Sequence, residues 1–194
     1  MVRSTGIKKV KTTIFISGNG SNMKNLVKFS KIKNSPIAIN LVLSSNKNAK
    51  ALNYLKKKKI NFKIFDFKKN NKDEKNILDI LKKKDTQLIC LAGFMKILSQ
   101  NFIKKFKGKI VNIHPSLLPK YKGLNTHQRV ILNKENFSGC TVHIVNSKLD
   151  SGKIIMQKKV RISKNDDPER LSKKILKQEH LLYPKALIKL LTRT

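Results

Sequence analysis

The sequence has few acidic residues, two cysteines and no tryptophan. Eleven aspartates and glutamates oppose 44 lysines and arginines, which gives a formal net charge of +33. Cys90 and Cys140 lie in apolar segments without metal-ligand spacing, so we expect buried thiols, no disulfide and no bound metal. No apolar run reaches the ~18 residues that span a bilayer, and the basic first residues lack the apolar core of a secretory signal. These absences predict a cytoplasmic protein that does not bind a membrane.

The length and the apolar content indicate one folded unit. The chain has 194 residues, of which 39% are hydrophobic, and this is enough to bury a core. A wholly disordered chain is therefore excluded despite the charge. The sequence contains no repeat and no linker, so we expect a single domain over residues 1–194, with a basic N-terminal extension at 1–11. Both a monomer and a homodimer are compatible with this pattern.

The positive charge is also typical of nucleic-acid-binding proteins, because clustered cations release counterions from a polyanion. Only five of the 44 cations are arginine, however, and the lysines are scattered from Lys8 to Lys189. Lysine lacks the planar fork that reads bases, and no basic segment is interleaved with aromatic residues for base stacking. Lysine, asparagine and isoleucine are all abundant and share A+T-rich codons, which indicates coding bias. We therefore expect small-molecule substrates and no specific nucleic acid, with a basic nucleic-acid-binding protein as the alternative.

Short apolar runs alternate with amphipathic segments along the chain. The pattern predicts strands at residues 12–17, 37–44, 61–67, 87–92, 109–113, 141–146 and 153–160. It predicts helices at 21–31, 47–58, 72–84, 99–106 and 126–132, and a last helix from Pro168 that Pro184 could break. This alternation predicts a Rossmann-like α/β fold, which is a doubly wound, mostly parallel sheet with helices on both faces.

A glycine-rich turn, Ser17-Gly18-Asn19-Gly20-Ser21-Asn22, links the first predicted strand to the first helix. Glycine permits a tight turn, and free N–H groups at a helix start attract anions, so phosphate is the natural ligand. The turn matches neither the dinucleotide fingerprint nor the nucleotide-triphosphate P-loop. The same residues also suit an ordinary strand-to-helix turn capped by Ser21 or Asn19.

The other candidate residues are Asn112, His114 and Asp150. Because side chains alternate along a strand, Asn112 and His114 share one face at the end of the fifth strand. An amide and an imidazole there can stabilise an oxyanion and move a proton. Asp150, in a loop between two late strands, would orient His114 and favour its protonated form. A structural histidine and a turn-forming aspartate are the plainer interpretations, and they stay open here.

Five ordered segments carry a resemblance to a known family. They are ISGNGSN at 16–22, LAGFMKILS at 91–99, NIHPSLLPKYKG at 112–123, TVHIVNSKLDSG at 141–152 and QEHLLYP at 178–184. Together they resemble the glycinamide ribonucleotide formyltransferases of purine biosynthesis, which use 10-formyltetrahydrofolate. The resemblance implies formyl transfer from this co-substrate to the amine of glycinamide ribonucleotide, giving formylglycinamide ribonucleotide and tetrahydrofolate without a metal.

The resemblance also implies roles for individual residues. Asn112, His114 and Asp150 look like the catalytic trio, with Asn112 and a protonated His114 on the oxyanion. The ribonucleotide phosphate would bind Gly20, Ser21, Asn22, Met23 and Lys24, and its ribose or amine would bind Glu179. The folate would contact Asn70, Met95, Lys96, Ile97, Leu98, Asn112, Asn146, Ser147, Lys148, Leu149 and Asp150.

The chain departs from this family at three positions. Lys122 and Lys153 stand where the family commonly has proline, so we expect slacker loops rather than lost activity. Asn70 stands near an arginine position that helps to hold the folate tail. The positive charge of that arginine, but not its fork geometry, could come from Lys68, Lys69 or Lys72.

Related enzymes share the formyltransferase core and are the alternatives within this class. Methionyl-tRNA formyltransferases have the SLLP segment but carry a C-terminal β-domain, for which we expect no room after the last helix. Formyltetrahydrofolate hydrolases carry an N-terminal regulatory domain, and only ~11 residues precede the first predicted strand here. The bare catalytic domain is the expectation that fits 194 residues.

The excess of positive charge predicts that salt stabilises the fold. Like charges repel one another more strongly in the compact state than in the unfolded chain, and added ions screen that repulsion. We expect the Tm to rise when NaCl is increased from about 0.05 M to about 0.5 M, as followed by circular dichroism. A melting temperature that does not respond to salt would contradict this.

Overall fold

The structure, a computed structural model, describes residues 8–65 and 71–192. The strands in these ranges are β1 (Val10–Ile16), β2 (Ile37–Ser44), β3 (Phe62–Ile64), β4 (Leu88–Leu91), β5 (Lys109–His114), β6 (Phe137–Ile144) and β7 (Ile154–Arg161). The helices are α1 (Ser21–Ser30), α2 (Ala51–Lys57), α3 (Asn71–Lys83), α4 (Gln100–Lys105), α5 (Thr126–Leu132) and α6 (Pro168–Thr192). Within these ranges, none of the helices combines the length and the apolarity that crossing a bilayer requires.

All seven strands form one sheet, in the order β3-β2-β1-β4-β5-β6-β7. The five strands from β3 to β5 are parallel, whereas β6 pairs with β5, and β7 with β6, in antiparallel orientation. The chain begins in the middle of the sheet, moves out to β3, returns through α3 to β4 and then builds the other half. The predicted fold, a doubly wound and mostly parallel sheet, is confirmed.

Two apolar layers cover the sheet, one on each face. Along β1, Ile14 and Ile16 pack with α1, α2, α5 and α6, whereas Phe15 packs with α3 and α4. Because both faces are covered, the central strands are continuous apolar runs, and β4 is buried throughout. Cys90 and Cys140 are free, buried thiols in the first layer, as the sequence predicted.

Several strands and helices begin at residues other than those predicted. β1 begins at Val10 rather than residue 12, so the first strand includes part of the expected extension. α2 begins at Ala51 rather than residue 47. β6 begins at Phe137, four residues earlier than predicted, because Gly139 lets the backbone of β7 approach closely. A Cβ at Gly139 would collide with the Lys158 carbonyl, so this glycine continues the strand instead of ending it.

Pro184, which the sequence marked as a possible break, does not interrupt the last helix. α6 runs without interruption from Pro168 to Thr192 and contains Pro184. A proline within a helix has no N–H for the carbonyl four residues earlier, which is that of His180. The side-chain amide of Asn25, on α1, donates to this carbonyl at 2.7 Å. The hydrogen bond that the proline removes is therefore replaced from a neighbouring helix.

This replacement predicts a coupling between Asn25 and Pro184. Asn25→Ala should lower the free energy of unfolding by about 1–3 kcal/mol, because the His180 carbonyl loses its donor. In a Pro184→Ala background, the restored N–H at residue 184 can serve the same carbonyl, so Asn25→Ala should cost clearly less. Urea denaturation of the two single variants and the double variant measures this difference. Equal costs in both backgrounds would disprove the replacement.

Candidate active site

Asn112 and His114 lie together at the carboxyl end of β5, on the face that the alternation predicted. The intervening Ile113 points into the opposite apolar layer. β6 pairs with this stretch of β5, so that His143 lies opposite Asn112 and Thr141 lies opposite His114. The amide Nδ2 of Asn112 is 3.3 Å from Nε2 of His143. The end of the last parallel strand and its antiparallel neighbour thus present one polar cluster.

Asp150 reaches this cluster from the loop between β6 and β7. Its Oδ2 lies 3.4 Å from Nδ1 of His114, and its Oδ1 lies 3.6 Å from Nε2 of His143. The Asn112 amide donates to Oδ1 at 3.5 Å, and the backbone N–H of Gly123 donates to Oδ2 at 2.9 Å. Asp150 itself has a positive φ of 44°, a conformation that Asp tolerates better than most side chains. The structure therefore brings the three predicted catalytic residues together.

His143 is the residue of this cluster that the sequence reasoning missed. Its side chain is buried, and its Nδ1 donates to the Ile144 carbonyl at 2.9 Å, which leaves Nε2 facing Asn112 and Asp150. In the sequence, His143 is a polar residue within a mostly apolar strand and gives no sign of a function. Its role becomes visible only when β6 is aligned with β5, because that register places it opposite Asn112. The strand pairing is the signal that could have found it.

The loop after β5 holds the other side of His114. Nε2 of His114 donates to the Tyr121 carbonyl at 2.8 Å. The beginning of this loop is fixed by Thr141, whose hydroxyl donates to the Ser116 carbonyl at 2.6 Å and accepts from the Leu118 N–H. The Ser116 hydroxyl donates to the Lys120 carbonyl and closes the turn. The imidazole ring is therefore held from both sides, by the loop backbone and by Asp150.

The cluster is buried, and burial and the neighbouring groups shift the pKa values of His114 and Asp150. Desolvation lowers the pKa of His114 below its ordinary 6.5, although the Tyr121 carbonyl and the Asp150 charge act in the opposite direction. Burial also raises the pKa of Asp150, but the hydrogen bonds from His143 and Gly123 and the nearby imidazoles outweigh it, so this pKa lies below 3.8. Asp150 is thus ionised at neutral pH. Burial opposes the protonated form of His114, whereas both of its ring nitrogens face acceptors, the Tyr121 carbonyl and the Asp150 carboxylate, so a protonated His114 stays a prediction.

The glycine-rich turn leaves the start of α1 open to an anion. Gly20 has a φ of 70°, and a Cβ there would lie 2.6 Å from the Cβ of Ala51, so glycine is required. No side chain caps α1, and its first turn contains no acidic residue. The first intrahelical bond is donated by Lys24, which leaves the preceding N–H groups without a helical partner. The predicted cap at Ser21 or Asn19 is absent, and the phosphate interpretation is favoured.

Glu179, on α6, lies beside this turn. The Asn22 amide donates to Oε2 of Glu179 at 2.7 Å, in a contact between residues 157 positions apart in sequence. Burial raises the pKa of Glu179 from 4.5 to about 7, only partly offset by the hydrogen bond from Asn22. Within the described ranges, Oδ1 of Asn22 is buried and has no hydrogen-bond partner. Residues from both ends of the chain therefore form a second polar site.

Two loops come from the strands that neighbour β5. The loop after β4 begins beside Asn112, whereas the loop after β6 leaves beside Ile110 and returns to the cluster through Asp150. The loop after β4 contains Met95, Lys96, Ile97 and Leu98, and the loop after β6 contains residues 146–150. The first is held by the Met95 N–H, which donates to the Ser17 hydroxyl at 2.8 Å, and by Glu74, which accepts from the backbone and hydroxyl of Ser99. Both loops expose large apolar side chains, Met95 at 67%, Ile97 at 78% and Leu149 at 53%. The predicted contact at Asn70 lies outside the described residues.

Comparisons with known proteins identify relatives of the chain. Residues 10–187 match the formyl transferase family. The chain is 40% identical over 177 residues to the phosphoribosylglycinamide formyltransferase of Haemophilus influenzae, a match that covers 90% of this chain and 84% of that protein. It is also 39% identical over 182 residues to the trifunctional purine biosynthetic protein adenosine-3 of Gallus gallus, covering 92% of this chain. The chain spans only 18% of the length of that trifunctional relative.

Solved structures agree with these matches. The phosphoribosylglycinamide formyltransferase from Brucella melitensis superposes with a TM-score of 0.89 at 39% identity, covering 96% of this chain and 98% of that chain. The enzyme of the same name from Bacillus halodurans superposes with a TM-score of 0.88 at 33% identity, covering 94% of this chain and 96% of that chain. Fold and sequence therefore point to the same group of proteins.

The raised pKa of Glu179 predicts a specific pH dependence of stability. A carboxyl whose pKa rises from 4.5 to about 7 on folding stabilises the folded state below the lower value and loses this contribution as the pH rises through 7. Relative to Glu179→Gln, the wild-type free energy of unfolding should fall by about 3 kcal/mol or less between about pH 5 and about pH 8. Urea denaturation of both proteins at each pH measures this. Parallel pH profiles would show that Glu179 is not protonated in the fold.

Proposed function

The chain belongs to the formyl transferase family, and from this premise we propose that it transfers the formyl group of 10-formyltetrahydrofolate to the amine of glycinamide ribonucleotide. The products are formylglycinamide ribonucleotide and tetrahydrofolate, and the reaction belongs to purine biosynthesis. The proposal includes a cytoplasmic location and substrates that are small molecules. The trifunctional relatives support this proposal only through the segment that matches the chain.

The observation that carries the proposal is the cluster around Asp150. Formyl transfer between two nitrogens passes through a tetrahedral intermediate whose oxygen is negatively charged. An amide donor and an imidazole that lie 3.5 Å and 3.4 Å from the two oxygens of one carboxylate supply what that intermediate needs. Their burial strengthens each electrostatic interaction, because little water screens them.

In the proposed mechanism, the amine of glycinamide ribonucleotide attacks the formyl carbon. The Asn112 amide stabilises the negative charge that develops on the formyl oxygen. That charge also raises the pKa of His114 and so favours the imidazolium that stabilises the same oxygen, while the proton that the attacking amine releases passes through water toward the folate nitrogen. The bond between the formyl carbon and the folate nitrogen then breaks, and this nitrogen takes the proton. Asp150 stabilises the transient imidazolium and keeps its orientation.

His143 has a positioning role in this proposal. Its Nε2 lies 3.3 Å from the Asn112 amide and 3.6 Å from Asp150, so it holds the two groups relative to each other. Its Nδ1 is bound to the backbone of its own strand, which fixes the ring. We infer that His143 acts through Asn112 and Asp150 and does not touch the substrates.

The second polar site suits the ribonucleotide. Its phosphate would bind the open N–H groups at the start of α1, from Gly20 to Met23, with Lys24 supplying positive charge. Its ribose or amine end would bind Glu179 and the unpartnered Oδ1 of Asn22, since both are acceptors. A hydroxyl or an ammonium group is the kind of donor that such acceptors select.

The two exposed loops suit the folate. A pterin ring is flat and largely apolar at its faces, and its edge carries donors and acceptors that backbone groups can meet. Met95, Ile97 and Leu149 offer exposed apolar contact area on these two loops. Leu98 is already part of the second apolar layer and contributes backbone atoms only.

The test is formylation of glycinamide ribonucleotide by the purified chain. The formylated product would be detected by mass spectrometry and tetrahydrofolate by absorbance, with formate measured in parallel. Formylated product in step with tetrahydrofolate supports the proposal. Formate without formylated product would instead assign the chain to formyltetrahydrofolate hydrolysis, and absence of any folate turnover would overturn both.

His114→Ala and Asp150→Ala should each lower kcat by about 10²–10³, the usual loss when a preorganised oxyanion donor is removed. Binding of glycinamide ribonucleotide, followed by calorimetry, should stay measurable because its site is formed by α1 and α6. Asp79→Ala, which removes an exposed aspartate on α3, is the matched control and should leave kcat unchanged. Near-normal turnover in either cluster variant would reject the assignment.

A further inference from the structure

The lysines that are scattered in sequence converge on one edge of the sheet. The strands β1 to β5 are parallel, so they all begin at the same edge, which we call the amino edge. The segments that lead into these strands are 8–11, 31–33, 56–59, 82–84 and 104–109. Together they hold 16 of the 39 lysines of the chain, and the acidic residue next to them is Asp85, which lies between Lys84 and β4. The connections between helices and strands thus concentrate positive charge opposite the active site.

Contacts within the described residues show that these segments are neighbours. The Lys9 ammonium donates to the carbonyls of Ser30 and Ile32 at the end of α1. The backbone of Gln87 joins the starts of three strands, because its N–H donates to Lys11 and its carbonyl accepts from Lys109. These contacts place 8–11 beside 31–33 and 104–109, the Asn40 amide on β2 donates to the Lys84 carbonyl, and 56–59 leads into β3 next to β2.

Little negative charge balances this surface. In the described ranges, the ion pair at the amino edge is Lys11 with Asp85, at 3.1 Å. The helix dipole favours cations in the last turn of a helix, which accounts for Lys56, Lys57, Lys82 and Lys83. It does not account for the lysines that continue beyond the helix ends, such as Lys58, Lys59 and Lys107. These exposed charges repel one another unless a polyanion neutralises them.

We propose that the amino edge binds the phosphodiester backbone of a nucleic acid duplex without reading its sequence. Lysine ammonium groups are point charges, which suit phosphates at variable positions but not base edges. Of the large apolar side chains exposed in the described ranges, Ile32 is the one at this edge, and none of the exposed aromatics lies there. The edge therefore lacks the apolar wedges that a membrane requires and the aromatic rings that single-stranded bases require.

The position of this surface separates it from catalysis. The proposed active site lies at the carboxyl end of β5, whereas the amino edge is formed where the parallel strands begin. A bound duplex would leave the active site open, so formyl transfer should continue in the complex. The inference is independent of the proposed function, because it rests only on the distribution of charge.

The experiment compares two variants with the same net charge. The edge variant carries glutamine at Lys57, Lys58, Lys83, Lys105 and Lys107. The control variant carries glutamine at five exposed lysines elsewhere, which are Lys134, Lys158, Lys164, Lys177 and Lys185. Both have lost five charges, so any difference reflects position and not total charge. Melting curves confirm that both are folded, as expected for exposed substitutions.

Binding is measured by fluorescence anisotropy with labelled 20-base-pair RNA and DNA duplexes of two unrelated sequences, from about 0.05 M to about 0.2 M salt. We expect the wild type to bind with an affinity that falls steeply with salt and is similar for both sequences. The edge variant should bind at least about tenfold more weakly at low salt and with a shallower salt dependence, whereas the control should change less than about threefold. The RNA and DNA arms show which duplex is preferred.

Three results would overturn the proposal. Equal losses in the two variants would mean that net charge alone causes binding. Absence of binding at about 0.05 M salt would mean that the edge is a solvated surface. Stronger binding to vesicles of anionic phospholipid than to either duplex would assign the surface to a membrane instead.

Discussion

The buried carboxylate of Asp150 is the interaction on which the active site depends. It accepts the Gly123 N–H and lies within reach of Asn112, His114 and His143. A buried charge is tolerated only when donors surround it. Each of these donors is therefore needed to keep the loop that carries Asp150 in its position. The carboxylate thus joins the loop after β5, the loop after β6 and both strands in one geometry. The arrangement of the candidate catalytic residues and the local stability have the same origin here.

The polarity of the parallel sheet separates two kinds of surface. Each parallel strand ends near the loops that carry the site, and each begins where a lysine-rich segment enters. The site needs a low dielectric and few, well-placed charges. The amino edge, in contrast, carries many exposed lysine charges. Because they lie at opposite ends of the strands, the composition at one end can change without disturbing the chemistry at the other. The high net charge is therefore compatible with a buried and electrostatically balanced site.

Much of this architecture could be predicted from the residues, because it depends on local periodicity. Apolar runs and amphipathic segments identify the strands and helices, and alternation along β5 places Asn112 and His114 on one face. The features that escaped prediction depend on contacts between distant segments. His143 joins the site through strand register, α6 continues past Pro184 because Asn25 supplies a donor, and β6 begins early because it pairs with β7. The lowering effect of burial on the pKa of His114 escaped for a related reason, since burial is a property of the whole fold.

The contact between Asn22 and Glu179 also has a consequence for the synthesis of the chain. Asn22, in the first turn of α1, is synthesised 157 residues before its partner Glu179. At translation rates of about 5–20 residues per second, the emerging protein waits roughly 8–30 seconds before α6 is available. During this interval the first half of the sheet can form, but the polar site beside α1 is incomplete. A nascent chain therefore completes this polar site, to which the proposed function assigns the ribonucleotide, when α6 docks.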